Sequence, residues 1–333
     1  MKKINLALVG ATGMVGRTFL KVLEDRDFPF DNLYCFASKK SAGDTITCKG
    51  KEYIVEELTE ASFDHEIDIA LFSAGGDIST HFAPIAASKG VIVIDNSSAW
   101  RMDPNVPLVV PEVNPEALRS HKNIIANPNC STIQAMVILK PLYDAYGIKR
   151  IVYSTYQAVS GSGVKGVYDL EEGLKGNHPK TCYPHAIAGN CLPQIDVFLE
   201  NGYTKEEMKM IDETKKILED ATLKVTATAV RVPIFNSHSE AVNVELLKPF
   251  EIEAVKALLK ASPGVVLQDD PANSVYPLAA EATGTDPVYV GRIRRDESLD
   301  NGINLWIVAD NIRKGAATNT IQIAETLISM NLV

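Results

Sequence analysis

Ile4-Asn5-Leu6-Ala7-Leu8-Val9 runs into Gly10-Ala11-Thr12-Gly13-Met14-Val15-Gly16, and then into a segment with Phe19, Leu20 and Leu23 at helical spacing. A near-continuous apolar run reads as a strand buried on both faces, and the order strand, glycine-rich turn, helix is that of a dinucleotide-binding unit. Glycines let the backbone approach a pyrophosphate, whose charge then lies on the helix N-terminus. A tight turn without a ligand has the same spacing, so the context decides. Residues 33–37, 67–72 and 91–94 follow as further buried strands with helical stretches between most of them. The pattern predicts a doubly wound parallel sheet of the Rossmann type. The second strand ends in Ala37-Ser38-Lys39-Lys40. An NAD-selective site usually presents an acidic residue to the ribose at that point, whereas a hydroxyl and two cations welcome a 2′-phosphate. The alternatives are NADP selectivity and a solvated basic turn.

Beyond Asn127 the texture changes. Residues 224–232, 240–246, 288–293 and 302–308 alternate as strands between helical or loop segments, predicting an α+β domain with a mostly antiparallel sheet. Its apolar strand faces need a cover, from its own helices, a partner subunit, or both. Residues 316–332 carry Ile321, Ala324, Ile328 and Leu332 at helical spacing and are expected to return to the first domain. At 333 residues the chain is long enough for two domains. The expected division is 1–127 with 312–333 for cofactor binding, and 128–311 for catalysis and dimerisation.

Composition narrows the function. A formal net charge of −9 argues against general nucleic-acid or membrane-surface binding. The five cysteines, Cys35, Cys48, Cys130, Cys182 and Cys191, form no CxxC pair or zinc-like spacing, so neither a disulfide framework nor a metal site is expected. Met1-Lys2-Lys3 leads directly into a strand without a cleavage site, and no apolar run approaches the ~18 residues of a membrane span. A cytoplasmic protein is expected.

Within Asn127-Pro128-Asn129-Cys130-Ser131-Thr132 a short apolar run ends and a helical one opens, placing Cys130 in or near the first turn. A helix N-terminus favours an anion and can bring a thiol pKa from about 8.5 to roughly 3.5–7.5. Cys130 is a candidate nucleophile, against a small buried cysteine filling the junction. Asp95-Asn96-Ser97-Ser98-Ala99-Trp100-Arg101 lies beyond a strand's carboxyl end, where ligands bind in open α/β sheets. Arg101 is a candidate phosphate ligand there, or an arginine stacked on Trp100 or paired with Asp103. Gln157 precedes Ser160-Gly161-Ser162-Gly163, a turn whose amides can approach a cofactor or acyl group. Arg231 interrupts an apolar strand, and His238 follows in Asn236-Ser237-His238-Ser239-Glu240. A histidine suits proton transfer near neutral pH, although a lone one is more often structural. Glu206 and Lys209 read as an exposed i,i+3 ion pair on a polar helix face with Glu213 and Lys216.

Taken in order, the GATGMVG turn, ASKKSAG, DNSSAWR, PEVN, NPNCSTIQ, the glutamine before SGSG, EEMK, RVPIFNSHSE and ADNIRKGAA span nearly the whole chain. Together they resemble the bacterial type of aspartate-β-semialdehyde dehydrogenase. The resemblance implies NADP-dependent interconversion of L-aspartate 4-semialdehyde and L-4-aspartyl phosphate, with inorganic phosphate as a further substrate, in the branch to lysine (through diaminopimelate), threonine and methionine. It also implies a homodimer, or a tetramer. Carried over, Cys130 is the acyl-forming nucleophile, His238 the acid/base catalyst and Gln157 a substrate-orienting amide. Arg231 holds the substrate α-carboxylate and Glu206 its ammonium, with Asn129 also at the substrate. Arg101 and Lys209 take the phosphate. Gly10, Thr12, Gly13, Met14, Val15, Gly16, Ser38, Lys39, Ser160, Gly161 and Asn311 surround NADP. Two departures are Ser237, where many relatives have glycine, and Trp100, often phenylalanine.

The implied chemistry suits these residue types. A Cys130 thiolate attacks the acyl phosphate to give a thioester, which is reduced with hydride from NADPH. His238 and backbone amides near Cys130 serve the developing oxyanion. Two other readings are N-acetyl-glutamyl-phosphate reductase, whose motif runs NPGCYPT where this chain has Asn129-Cys130-Ser131-Thr132, and a non-catalytic NADP-binding redox sensor. Glyceraldehyde-phosphate dehydrogenases are more distant.

Overall fold

Strand β1 (Ile4–Val9) is central to a seven-stranded sheet in a computed structural model that describes residues 4–333. Met1-Lys2-Lys3, which entered the reading of the N-terminus, lie outside the described residues. The chain divides into two compact units, residues 1–129 with 316–333, and residues 130–315.

In the first unit β1 leads to α1 (Met14–Asp25), β2 (Phe30–Ala37), β3 (Thr45–Cys48), β4 (Lys51–Glu57), β5 (Ile69–Phe72), α2 (Gly76–Ser88), β6 (Ile92–Asp95) and β7 (Ile124–Ala126). The sheet order is β3-β4-β2-β1-β5-β6-β7, with every pairing parallel except β3 with β4. The order reverses between β1 and β5, the position at which doubly wound sheets open a crevice at their carboxyl ends. Leu6 and Leu8 join one core with Phe19, Leu23 and Leu33, while Ala7 and Val9 join another with Phe36, Phe63 and Phe72. Both faces of β1 are therefore covered, which is why its sequence is apolar without alternation.

In the second unit α3 (Cys130–Tyr146), β8 (Ile148–Gln157), α4 (Gly163–Leu174) and α5 (Lys205–Ile217) precede β9 (Lys224–Arg231) and β10 (His238–Leu246). Then come α6 (Ile252–Ala261), β11 (Val265–Leu267), α7 (Ala279–Ala282), β12 (Val288–Asp296) and β13 (Gly302–Ala309). The six strands order as β11-β12-β13-β10-β8-β9; the three central pairings are antiparallel, and the outer two are parallel. Helix α3 packs on β8, β10, β12 and β13, and α5 on β9. Alternation follows from that one-sided cover: Ile151, Tyr153, Thr155 and Gln157 are buried, Val152 and Ser154 half-buried, and Tyr156 exposed. On the uncovered side Tyr156 meets Trp306 at 5.6 Å between ring centroids.

The final helix begins later than its periodicity suggests. A π-helical turn (Arg313–Thr318) precedes α8 (Asn319–Ser329). Within the second unit Gly315 N–H bonds back to the Asp310 carbonyl at 3.1 Å, and the Asp310 carboxylate accepts from the Ile312 and Arg313 amides. Gly315 is required there, since a Cβ would fall 2.8 Å from Cys130 Cβ. Ile321, Ala324, Leu327 and Ile328 then join the first unit's core.

Candidate active site

In the first unit, the turn after β1 lacks room for side chains. Gly10 has φ +89°, and a Cβ on it would lie 2.4 Å from the Ser73 carbonyl oxygen; a Cβ on Gly16 would lie 2.2 Å from the Gly10 carbonyl oxygen. Gly13 caps α1 without a side-chain bond, leaving the amides of Met14 and Val15 at the helix start. A cleft of about 360 Å³ opens there, lined by Gly10, Thr12, Gly13, Ser38, Ser73 and Phe82, among others. Thr12 and Ser41 hydroxyls are 3.4 Å apart at its rim, and Ser38 and Lys39 are exposed. A glycine cradle, bare helix amides and an apolar wall fit a dinucleotide.

After β6, Arg101 is buried, with Nε donating to the Asn127 carbonyl at 3.0 Å and an Nη to the Asn96 carbonyl at 2.8 Å. Trp100 instead bonds Ser79 Oγ through its indole N–H at 3.0 Å. Burial pushes the Asp95 carboxyl above its ordinary range, although Ser97, Ser79 and Arg101 pull the other way. Asn129 is buried immediately before Cys130.

The second unit brings together residues far apart in the chain. Cys130 is the first residue of α3, partly accessible and in no disulfide. The first turn of that helix is tied to two strand ends: Ser131 Oγ lies 2.5 Å from Gln157 Nε2, and Gln134 Nε2 donates to the His238 carbonyl at 3.3 Å. Gln157 ends β8, Arg231 ends β9 and His238 begins β10, so three neighbouring strands deliver these residues at the same end of the sheet. Residue Ala158 links them. Its N–H donates to His238 Nδ1 at 3.1 Å, and its carbonyl accepts from an Arg231 Nη at 2.6 Å.

The first of those bonds assigns the ring proton of neutral His238 to Nε2, which has no partner. Burial, reinforced by Arg231, brings the imidazole pKa down to about 3 despite Glu206 pulling upward. His238 is thus a neutral ring presenting Nε2–H. Arg231 Nε likewise lacks a partner. Gly161 keeps the space beside both, since a Cβ there would lie 2.9 Å from Arg231 Nη1 and 3.3 Å from His238 Nε2. Asn311 Oδ1 accepts from Ser237 N–H at 2.9 Å, and Asn311 Nδ2 donates to Ser160 Oγ at 3.0 Å. Ser237 sits at φ +71°, a conformation glycine adopts more readily, and its hydroxyl lies 2.9 Å from Thr283 Oγ1.

Helix α5 corrects the sequence reading. Glu206 and Glu213 are buried, not exposed, and Lys209 is about a fifth exposed (21%). Gln157 Nε2 donates to Glu206 Oε1 at 3.1 Å, and Lys209 Nζ donates to Glu206 Oε2 at 3.2 Å and to Asp196 Oδ2 at 2.9 Å. Burial works against charge on Lys209, but Glu206 and Asp196 outweigh it and raise the ammonium above its ordinary pKa. Asp196 is also partly desolvated, yet Lys209 and the Val197 N–H hold its carboxyl below the usual range. Nothing in the local sequence signals Asp196; Ser131 and Gln134 are visible only as neighbours of Cys130.

Residues 5–121 match the family described as "Semialdehyde dehydrogenase, NAD binding domain", and residues 139–314 match "Semialdehyde dehydrogenase, dimerisation domain". An aspartate-semialdehyde dehydrogenase of Aquifex aeolicus is 56% identical over 98% of this chain and 99% of its own. The chain belongs to the aspartate-semialdehyde dehydrogenase family. A solved structure of aspartate semialdehyde dehydrogenase II from Vibrio cholerae complexed with ASA is 49% identical, with a TM-score of 0.94 over 99% of each chain. The Candida albicans aspartate semialdehyde dehydrogenase with NADP is 26% identical, with a TM-score of 0.79 over 100% of each chain. Membership of this family sets aside the sensor and N-acetyl-glutamyl-phosphate reductase alternatives. Among the described residues there is no His/Cys/Asp/Glu group able to hold a metal, and no helix is long and apolar enough to cross a membrane.

Proposed function

We propose that this member of the aspartate-semialdehyde dehydrogenase family interconverts L-4-aspartyl phosphate and L-aspartate 4-semialdehyde with NADP, serving lysine, threonine and methionine synthesis. The observation that carries this reading is the second-unit cluster: a thiol at a helix start beside buried Gln157, Glu206, Arg231 and a His238 whose Nε2 has no protein partner. The functional division is 1–127 with 312–333 for the cofactor and 128–311 for catalysis and dimerisation, in a cytoplasmic homodimer, with a tetramer as the alternative assembly.

Cys130 Sγ adds to the acyl carbon of aspartyl phosphate; the C–O bond to phosphate breaks, inorganic phosphate leaves and a thioester remains. NADP, when bound, carries the hydride between its nicotinamide and that carbon. After hydride addition, the oxyanion accepts a hydrogen bond from His238 Nε2–H. Because Nδ1 holds the Ala158 N–H, His238 meets that charge as a neutral donor at Nε2; acting as the acid/base catalyst requires the ring to release that bond before taking a second proton. Collapse of that oxyanion re-forms the C=O bond, breaks the C–S bond and returns the Cys130 thiolate with free aldehyde. Arg231 grips the α-carboxylate through its planar fork, and Glu206 with Gln157 and Asn129 orients the amino end. Lys209 and Arg101 take the phosphate. Gly10, Thr12, Gly13, Met14, Val15 and Gly16 would hold the cofactor's pyrophosphate, Ser38 and Lys39 would favour a 2′-phosphate, and Ser160, Gly161 and Asn311 would complete the NADP contacts.

The test is the initial rate of NADP⁺ reduction with L-aspartate 4-semialdehyde and phosphate, run beside NAD⁺ and beside N-acetyl-L-glutamate 5-semialdehyde. Activity with the first aldehyde, higher with NADP⁺, is expected. Turnover of only the acetylated aldehyde would remove Glu206 from its role, and a preference for NAD⁺ would remove Ser38 and Lys39 from theirs.

A further inference from the structure

The Glu206–Lys209 contact poses a difficulty for the proposed roles. Glu206 is to meet a substrate ammonium and Lys209 a phosphate, yet the two lie 3.2 Å apart and neutralise one another. A pair engaged only with itself presents little charge to either end of a substrate. In this structure Lys209 has a second, shorter contact, 2.9 Å to Asp196.

Asp196 is held at that position by its backbone. Its φ is +69°, left-handed geometry that aspartate tolerates better than most residues. The segment after it folds back onto the start of α5: Lys205 N–H bonds the Val197 carbonyl at 2.9 Å, and Leu199 N–H bonds the Tyr203 carbonyl at 2.8 Å. An isolated bridge joins Phe198 and Thr204, the residue that caps α5. Asp196 is therefore anchored to the helix that carries both Glu206 and Lys209. Its second carboxylate oxygen accepts the Val197 N–H at 2.9 Å, leaving Oδ2 for the lysine.

We propose that Asp196 is a positioning residue that draws the Lys209 ammonium off Glu206, leaving Glu206 charge for the substrate's amino group and holding Lys209 for phosphate. The inference rests on the substrate roles proposed above for Glu206 and Lys209. Without Asp196, Lys209 settles on Glu206 and both ends of the site weaken.

Steady-state kinetics of Asp196→Asn, Asp196→Gly, Lys209→Gln and the Asp196→Asn/Lys209→Gln pair test it in the aldehyde-oxidising direction. Asn keeps the shape without the charge, and Gly adopts the positive φ at no cost, so one of the two reports even if the other folds poorly. Both are expected to raise the KM for phosphate about three- to ten-fold and the KM for aldehyde by less, with kcat within about two-fold. In the Lys209→Gln background, Asp196→Asn should add nothing further, because a residue acting through Lys209 has nothing left to act on. An unchanged or lower phosphate KM in the Asp196 variants overturns the inference, as do additive effects in the double variant. If Lys209→Gln itself leaves the phosphate KM unchanged, the underlying assignment of Lys209 fails too. A Lys209 effect with silent Asp196 variants overturns this inference alone.

Discussion

The glycine turn of the first unit and the polar cluster of the second achieve specificity by different means. In the turn the determinant is the absence of atoms: Gly10 and Gly16 meet neighbouring carbonyl oxygens at distances no side chain permits. In the cluster it is the presence of particular atoms, brought from α3, β8, α5, β9 and β10 and joined through Ala158 and Gln157. A backbone-made cradle is encoded by consecutive residues, whereas a side-chain constellation depends on which strands become neighbours.

The largest expected effect is at Cys130, since the proposed chemistry hangs on its one sulfur atom. Cys130→Ala should lower turnover by a factor of about 10⁴ or more while leaving NADP binding and the melting temperature nearly unchanged. Residual turnover near wild type would remove the thioester from the mechanism. Next comes Gly16→Ala, which puts a Cβ 2.2 Å from the Gly10 carbonyl oxygen. Because backbone must move, a stability loss of about 1–3 kcal/mol and a clear rise in the NADP dissociation constant are expected, by calorimetry and cofactor titration. Unchanged binding would mean that the turn is not the cradle. Arg231→Lys keeps the charge but loses the fork, so aldehyde KM should rise about 10- to 100-fold, roughly 1.4–2.8 kcal/mol, with a smaller change in kcat.

The smallest effect concerns stability alone. Glu240 is fully buried, neither carboxylate oxygen has a hydrogen-bond partner, and burial raises its pKa well above the usual value. The native state then holds a proton that the unfolded chain releases above about pH 4.5, so the stability contributed by the protonated group is lost progressively as pH rises from there. Glu240→Gln, neutral at every pH, should melt higher than wild type at pH 8 and show a smaller advantage at pH 5. An advantage independent of pH would contradict the protonated carboxyl.

The same contrast governs what was legible beforehand. The strand, glycine turn and helix of the first unit could be read because each signal is local and both faces of β1 are covered. Cys130 was legible as a helix-start thiol, and His238 and Arg231 as polar intrusions at strand ends. Glu206 was misread on residue pattern, since a helix face rich in Glu and Lys ordinarily points to water. Burial of that face depends on what packs against α5, which periodicity does not report. Asp196 gave no signal, because its partner lies 13 residues away and its loop has no repeating pattern.

By itself the amino-acid sequence determined two textures of secondary structure, a glycine-bearing turn between strand and helix, and the residue types from which an acyl-transfer site is proposed. Tertiary structure decided the rest: that Ala158 N–H sets the His238 tautomer, that Glu206 is buried against Gln157, and that Lys209 is shared between two carboxylates. The physical reason is range. Backbone sterics and helix-end electrostatics act between residues adjacent in the chain, while hydrogen bonds and desolvation act between residues adjacent in space.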